Sequence, residues 1–368
     1  MKLVCKRAPF AEVFQLAAAV AGTRGLKSVL QNVKIEARKG RVELISSDYE
    51  ISMRLDATDV EVQRTGDALL PAARVAAILR ESSQETVQLE VADGICVLSS
   101  ENAEFRIPCD TSTDFPEVPS FQGDGTLEVA REDLRDMIRK TVFATAQDNT
   151  RYSLNGVLLS VKGSKMTMVA TDGRRLAIVN RKAAKVTETP PNVIIPTKAL
   201  HHLDRLMSDA DERVALKVEE RSILARVGRG TLVARLVDGH FPPYDEVVPK
   251  DCDKKVELPR EPLLSAIRRA ELVTTEDTRV VDLAFSEKGL HISASSSEAG
   301  QAWVDLPIEY AGDEVTVAFN PQFLEDVLKV ADRDTITMEL KDSRTQVLLR
   351  AGENYLYVVM PVIRSAEA

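Results

Sequence analysis

The chain has 368 residues, 44% of them hydrophobic and 29% charged, with a formal net charge of −9. That length exceeds one ordinary core and suits two or three domains of roughly 100–150 residues, and the mixture excludes both wholesale disorder and a disulfide-stapled miniature. The acidic balance excludes a uniformly basic nucleic-acid coat but not a local basic face, and no apolar run approaches the roughly 18–20 residues of a membrane span.

Lys2, Lys6 and Arg7 precede an apolar stretch ending in Ala19-Val20-Ala21, which has the outline of an export signal. Glu12 and Gln15 interrupt it, and similar segments recur later, so the reading is a structural helix over Ala8–Val20 and no export. Val42-Glu43-Leu44-Ile45 then alternates like a strand, Ser47-Asp48 turns the chain, and Leu70-Pro71-Ala72 opens a second helix. Phe115-Pro116 and the loop-like Pro119 to Gly125 close this stretch.

The series then repeats. Leu134, Met137, Ile138 and Val142 predict a helix over Arg131–Ala144, Met166-Thr167-Met168-Val169 a strand, and Thr171-Asp172 a turn. Ile195-Pro196-Thr197 opens the next helix, Phe241-Pro242 follows, and Pro249 to Lys255 forms the second link. A third pass has a helix over Glu261–Val273, Asn320-Pro321-Gln322 opening another, and a strand at Thr335–Leu340. The three prolines are 125 residues apart in both steps, and each is expected at a first helical position, where its missing N–H costs nothing. Such a period is too long for a solenoid unit, so each repeat is expected to be a small α+β domain with its own core: 1–120, 126–249 and 255–368.

Each domain of this kind ends in sheet edges that need cover. Head-to-tail contacts that continue sheets from one domain to the next remove them, and such contacts close into a ring if the rotation is right. Several helices carry cations. Lys198, His201, His202 and Arg205 are expected opposite the apolar Leu200, Leu203, Leu206 and Met207, and Arg131, Arg135 and Arg139 climb one flank of another helix. Ordinary solvated faces explain any one of these; their recurrence favours a basic interior facing phosphates.

No phosphate loop, dinucleotide fingerprint, HExxH or GxSxG occurs. Cys5, Cys96, Cys109 and Cys252 form no CxxC pair and are read as packing residues, and no metal or cofactor is expected. The chain is read as no enzyme. The rival readings are a protein-binding scaffold that never encloses nucleic acid and an enzyme built from scattered carboxylates with His240 or His291.

At Ala170-Thr171-Asp172-Gly173-Arg174-Arg175-Leu176-Ala177 the sequence resembles the bacterial DNA sliding clamp, the β subunit of DNA polymerase III holoenzyme. Arg151 to Gly156, Phe241-Pro242-Pro243-Tyr244, Phe319 to Phe323 and Tyr357 to Pro361 resemble it too, in the same order. The resemblance implies a head-to-tail homodimeric ring of six clamp domains, with helices lining the hole and sheets outside, holding double-stranded DNA without sequence specificity as a cytoplasmic processivity factor. It implies an ATP-driven clamp loader and a replicative DNA polymerase as partners that bind through short linear motifs. The implied peptide cleft comprises Leu154, Thr171, Gly173, Arg174, Arg175, Leu176, Pro242, Val247, Asn320, Phe323, Val359, Met360 and Pro361, with Arg175 and Asn320 expected to orient polar groups of the peptide. The implied DNA contacts are Arg24, Gln147 and Tyr152, joined by Lys198 from its helix face. Tyr244-Asp245-Glu246 stands where many relatives carry Tyr-Arg-Arg, Thr278 replaces a larger aromatic and Ser153 a tyrosine, so an altered peptide preference is expected.

Overall fold

The structure, a computed structural model, describes residues 1–22, 27–110, 114–147, 152–208, 212–276 and 279–363. Among the described residues six α-helices of ten or more residues occur: α1 (Arg7–Val20), α2 (Ala72–Glu81), α3 (Arg131–Thr141), α4 (Thr197–Leu206), α5 (Arg260–Glu271) and α6 (Pro321–Val330). They fall two to a repeat, as the period predicts. Prolines mark the start of the second helix of each repeat, but only Pro321 is a first helical residue. Pro71 and Pro196 instead end the strands Gly66–Pro71 and Val193–Pro196, with the helix beginning one residue later. Both strands are the outermost of their sheets, where a residue without an N–H is tolerated.

The chain divides into two compact units, and neither coincides with a repeat. The first comprises Met1–Leu134, Ala183–Pro191 and Lys198–Leu236. It holds a five-stranded and a nine-stranded antiparallel sheet. The larger sheet joins two repeats, because Ile51–Ala57 of the first pairs with Gly230–Arg235 of the second, Met53 opposite Leu232. Helices α1 and α2 pack together, and α1 also lies on the strands Arg41–Ser47 and Ile51–Ala57. Its buried Phe10, Phe14, Ala17 and Val20 form the stripe expected of a core-facing helix.

The second unit comprises Arg135–Lys182, Asn192–Thr197 and Val237–Ala368. Its eight-stranded sheet joins the second repeat to the third, since Arg175–Lys182 pairs with Tyr355–Val359, Ala177 opposite Tyr357. A four-stranded sheet and the packed pair α5 and α6 complete it. The expectation that sheets run on from one repeat into the next therefore holds at both seams.

Helix faces are less regular than the expectation. His202 is not on the cationic face of α4: it is 7% exposed, because an imidazole packs on either side of an amphipathic helix. Burial first, then the charges of Lys198 and Arg205, holds its pKa at about 4, so it is neutral at pH 7. The side chain of Arg131 is mostly covered and meets Glu132 at 3.2 Å, while Arg139 meets Asp136 at 3.1 Å. The flank of three arginines is thus partly neutralised.

Candidate functional site

In the second unit the strands Lys165–Thr171 and Arg175–Lys182 are joined by Asp172-Gly173-Arg174, and side chains wrap this turn. Asp172 Oδ1 accepts from the backbone N–H of Arg174 (2.9 Å) and of Arg175 (3.0 Å). Thr171 Oγ1 accepts from the Gly173 N–H (3.0 Å) and donates to the Arg175 carbonyl (2.6 Å). Gly173 has φ +87°, the left-handed region that glycine enters without steric cost.

Arg175 is built into the framework. Its Nε donates to Asp172 (3.0 Å), Nη1 to Asp326 of α6 (2.6 Å) and Nη2 to the Phe143 carbonyl (2.6 Å). Its guanidinium carbon stacks over the Phe323 ring at 4.5 Å. Asn320 Oδ1 caps α6 by accepting from the Gln322 N–H at 3.0 Å. These bonds hold the wall of the site.

Against this wall lies a cavity of about 220 Å³. Leu154, Thr171, Gly173, Arg174, Arg175 and Leu176 line it from the second repeat, with Pro242, Tyr244 and Val247 from the segment that follows and Val358 and Met360 from the last strand and its exit. Nine of the thirteen residues implied for a cleft are among them. Val359 is not, because alternation turns it to the opposite face: Leu176 lies opposite Val358, and Met360 is two residues on. Phe323 stacks on Arg175, Asn320 caps its helix, and Pro361 is buried outside the lining. Val358 and Tyr244 are the two that sequence reasoning missed. The Leu176–Val358 register would have found the first, but that pairing spans 182 residues and no local pattern encodes it. The Tyr244 ring packs edge-on against Phe241 with centroids 6.4 Å apart, while its neighbours Asp245 and Glu246 are exposed.

Family models for the DNA polymerase III beta subunit match the chain three times: the N-terminal domain over residues 1–119, the central domain over 128–243 and the C-terminal domain over 245–363. The chain belongs to the DNA polymerase III β-subunit family. The beta sliding clamp of Pseudomonas aeruginosa is 30% identical over 98% of this chain and all of that protein, and that of Escherichia coli is 29% identical over the same shares. The crystal structure of the Bacillus subtilis DNA polymerase sliding clamp superposes with a TM-score of 0.94 at 26% identity, covering 99% of this chain and 100% of that one. A Pseudomonas aeruginosa clamp solved bound to griselimycin superposes at 0.92 with 30% identity and the same coverage.

Neither Lys198 nor Gln147, both expected to touch DNA, is among the residues that line this cavity. Lys198 opens α4 and pairs with the buried carboxylate of Asp48, and Gln147 is exposed. Arg24, the side chain of Tyr152, and Thr278 lie outside the described residues. His291 Nδ1 lies 2.7 Å from Asp305 on an exposed strand, and His240 is exposed; neither belongs to the cavity.

Proposed function

We propose that the chain is a DNA sliding clamp and processivity factor that holds the replicative DNA polymerase on duplex DNA. The observation that carries this reading is the match of all three β-subunit domains, in order, along the chain. In this reading two copies join head to tail into a ring of six similar domains, one per repeat. The continuation of a sheet across each internal seam supports it, since the same kind of pairing would close the ring. Two sheets also end in strands suited to the task. Ala103–Pro108 and Gly300–Leu306 are outermost and carry the exposed Phe105 and Trp303, and Leu272 is 79% exposed. Apolar edges of this kind invite a partner strand.

Duplex DNA is then held by topology, and Lys198, Gln147, Arg24 and Tyr152 supply weak backbone contacts without reading sequence. The cavity supplies the tether. At about 220 Å³ it falls below the roughly 300–1,000 Å³ of small-molecule sites, a size that fits a few apolar side chains of a short linear peptide. Polymerase, an ATP-driven loader and other clients dock there in turn. The chain works in the cytoplasm by holding its partners and turns over no substrate; among the described residues no helix is long and apolar enough to cross a membrane.

Two measurements test this. Light scattering should return the mass of two 40.5-kDa chains. Protein placed by its loader on nicked circular DNA should stay there and be lost on linearisation. A monomer, or retention indifferent to DNA ends, sinks the ring.

A further inference from the structure

Beside the apolar cavity, and sharing Tyr244 with it, lies a second recess of about 450 Å³ in the same unit. Its chemistry differs because the sheet changes character along its strands. The face that carries Leu158, Val169 and Leu176 reaches Ser160, Thr167 and Asn180 further along the same strands. The register sets Ser160 opposite Thr167 and Thr167 opposite Asn180, so three strands present one polar row. One pleat further, Lys162 lies opposite Lys165. Lys250 joins them from the segment after Tyr244, and Asp245 is the single carboxylate in the lining.

Two lysines paired across strands repel each other, at a cost that an anion between them removes. Among the described residues none of Lys162, Lys165 and Lys250 forms an ion pair, although all three are exposed. Asn180 Oδ1 accepts from Thr167 Oγ1 at 2.8 Å, which leaves its amide N–H groups for another acceptor. The recess therefore offers ammonium and amide donors next to a cavity that takes apolar groups.

We propose that this recess receives the acidic flank of the same linear peptide whose apolar residues fill the neighbouring cavity, with Asp or Glu carboxylates set against Lys162, Lys165 and Lys250. The inference rests on the peptide role proposed above and adds a chemical class to it: clients whose docking segment carries carboxylates beside its apolar anchors. Tyr244 borders both subsites, and Asp245 lowers the attraction so that a single carboxylate gains little. Exposed pairs are individually weak, so several together give about a three- to tenfold gain in affinity at low salt.

The experiment uses the full-length chain and two fluorescent twelve-residue peptides with one Leu- and Phe-bearing centre, flanked at both ends by three Glu or by three Gln. Anisotropy titrations at low salt should give the Glu peptide the three- to tenfold advantage. A K162A/K165A/K250A variant should lose that advantage while binding the Gln peptide as before, which also certifies its fold, and D245N should enlarge it. Equal affinity for the two peptides, or an advantage that survives loss of the lysines, overturns the proposal and leaves the cavity reading standing. Failure of both peptides to bind removes the cavity reading and the proposal together. Displacement of the Glu peptide by a single-stranded oligonucleotide that binds through the same lysines assigns the recess to phosphate and overturns it.

Discussion

At the seam joining the first and second repeats, Phe115 and Val118 pack with Ile45, Leu69, Leu224 and Val233, and Phe121 closes over them. At the seam joining the second and third, the residues 126 places on are Phe241, Tyr244 and Val247, and they leave a cavity of about 220 Å³. The turns beside the two seams share three bonds from backbone N–H groups to side-chain oxygens. Ser47 Oγ accepts from the Tyr49 N–H and Asp48 Oδ1 from those of Glu50 and Ile51, as Thr171 and Asp172 do 124 residues later. Where the first seam has Arg226 stacked on Phe121 at 4.5 Å, the second has Val247, and Arg350, 124 residues after Arg226, bonds Glu339 at 3.0 Å instead. A binding site can thus arise on a repeated scaffold by leaving out one aromatic and the cation that pins it.

The largest expected effect breaks the open seam at its wall. Arg175→Ala leaves Asp172 and Asp326 without their partner in a largely buried setting and should cost about 3–5 kcal/mol in urea unfolding. A loss below about 1 kcal/mol would mean that the stacked guanidinium is not what holds this wall. Phe115→Ala attacks the filled seam and should cost about 3 kcal/mol, since its ring is 8% exposed and collapse around it is limited. The converse change, Val247→Phe, copies Phe121 into the open seam; peptide affinity should fall about tenfold, with stability within about 0.5 kcal/mol because Val247 is 42% exposed. Unchanged peptide binding would refute the comparison.

The two units should also answer pH with opposite signs. In the first, burial of His202 depresses its pKa to about 4, so its contribution is present above pH 6.5 and lost as pH falls toward 4. In the second, burial of Glu271, reinforced by the neighbouring Glu325, pushes its pKa up to about 7. That contribution is full below pH 4.5 and lost as pH rises through 7. Hydrogen exchange read separately in each unit between pH 4.5 and 7 should show these slopes. His202→Gln should flatten the first and Glu271→Gln the second, and a slope that survives its substitution belongs to another group. The smallest effect is expected at Lys198, 55% exposed in its pair with Asp48. Lys198→Ala should reduce the salt slope of DNA binding by about one. An unchanged slope would remove Lys198 from the phosphate contacts.

Much of this scheme is legible before any coordinates. The 125-residue recurrence of proline, the amphipathic spacing of Leu134, Met137 and Ile138, and the Thr171-Asp172-Gly173 turn are local patterns, and local patterns follow from backbone periodicity and turn chemistry. Most of the cavity's lining could be named from resemblance because it lies in short contiguous motifs. The errors fall where one residue's role depends on a distant one. The resemblance names Val359 and omits Val358, since strand parity is set by a partner strand far along the chain. Polarity alone sets His202 among the cations of α4, but it does not orient an imidazole, and the ring is buried.

The sequence by itself determined three α+β repeats, their helices and the turn that edges the cavity, since these depend on interactions within a few residues or within one repeat. Tertiary structure decided the rest. It showed that compact units straddle the repeats because sheets run across their seams, and that Arg175 is held by Asp326, 151 residues away. It also showed that Phe115 and Val118 pack into a core at one seam while Tyr244 and Val247 border a cavity at the other. Long-range register and the volume left between packed side chains make those choices, and neither is encoded in any short stretch of chain.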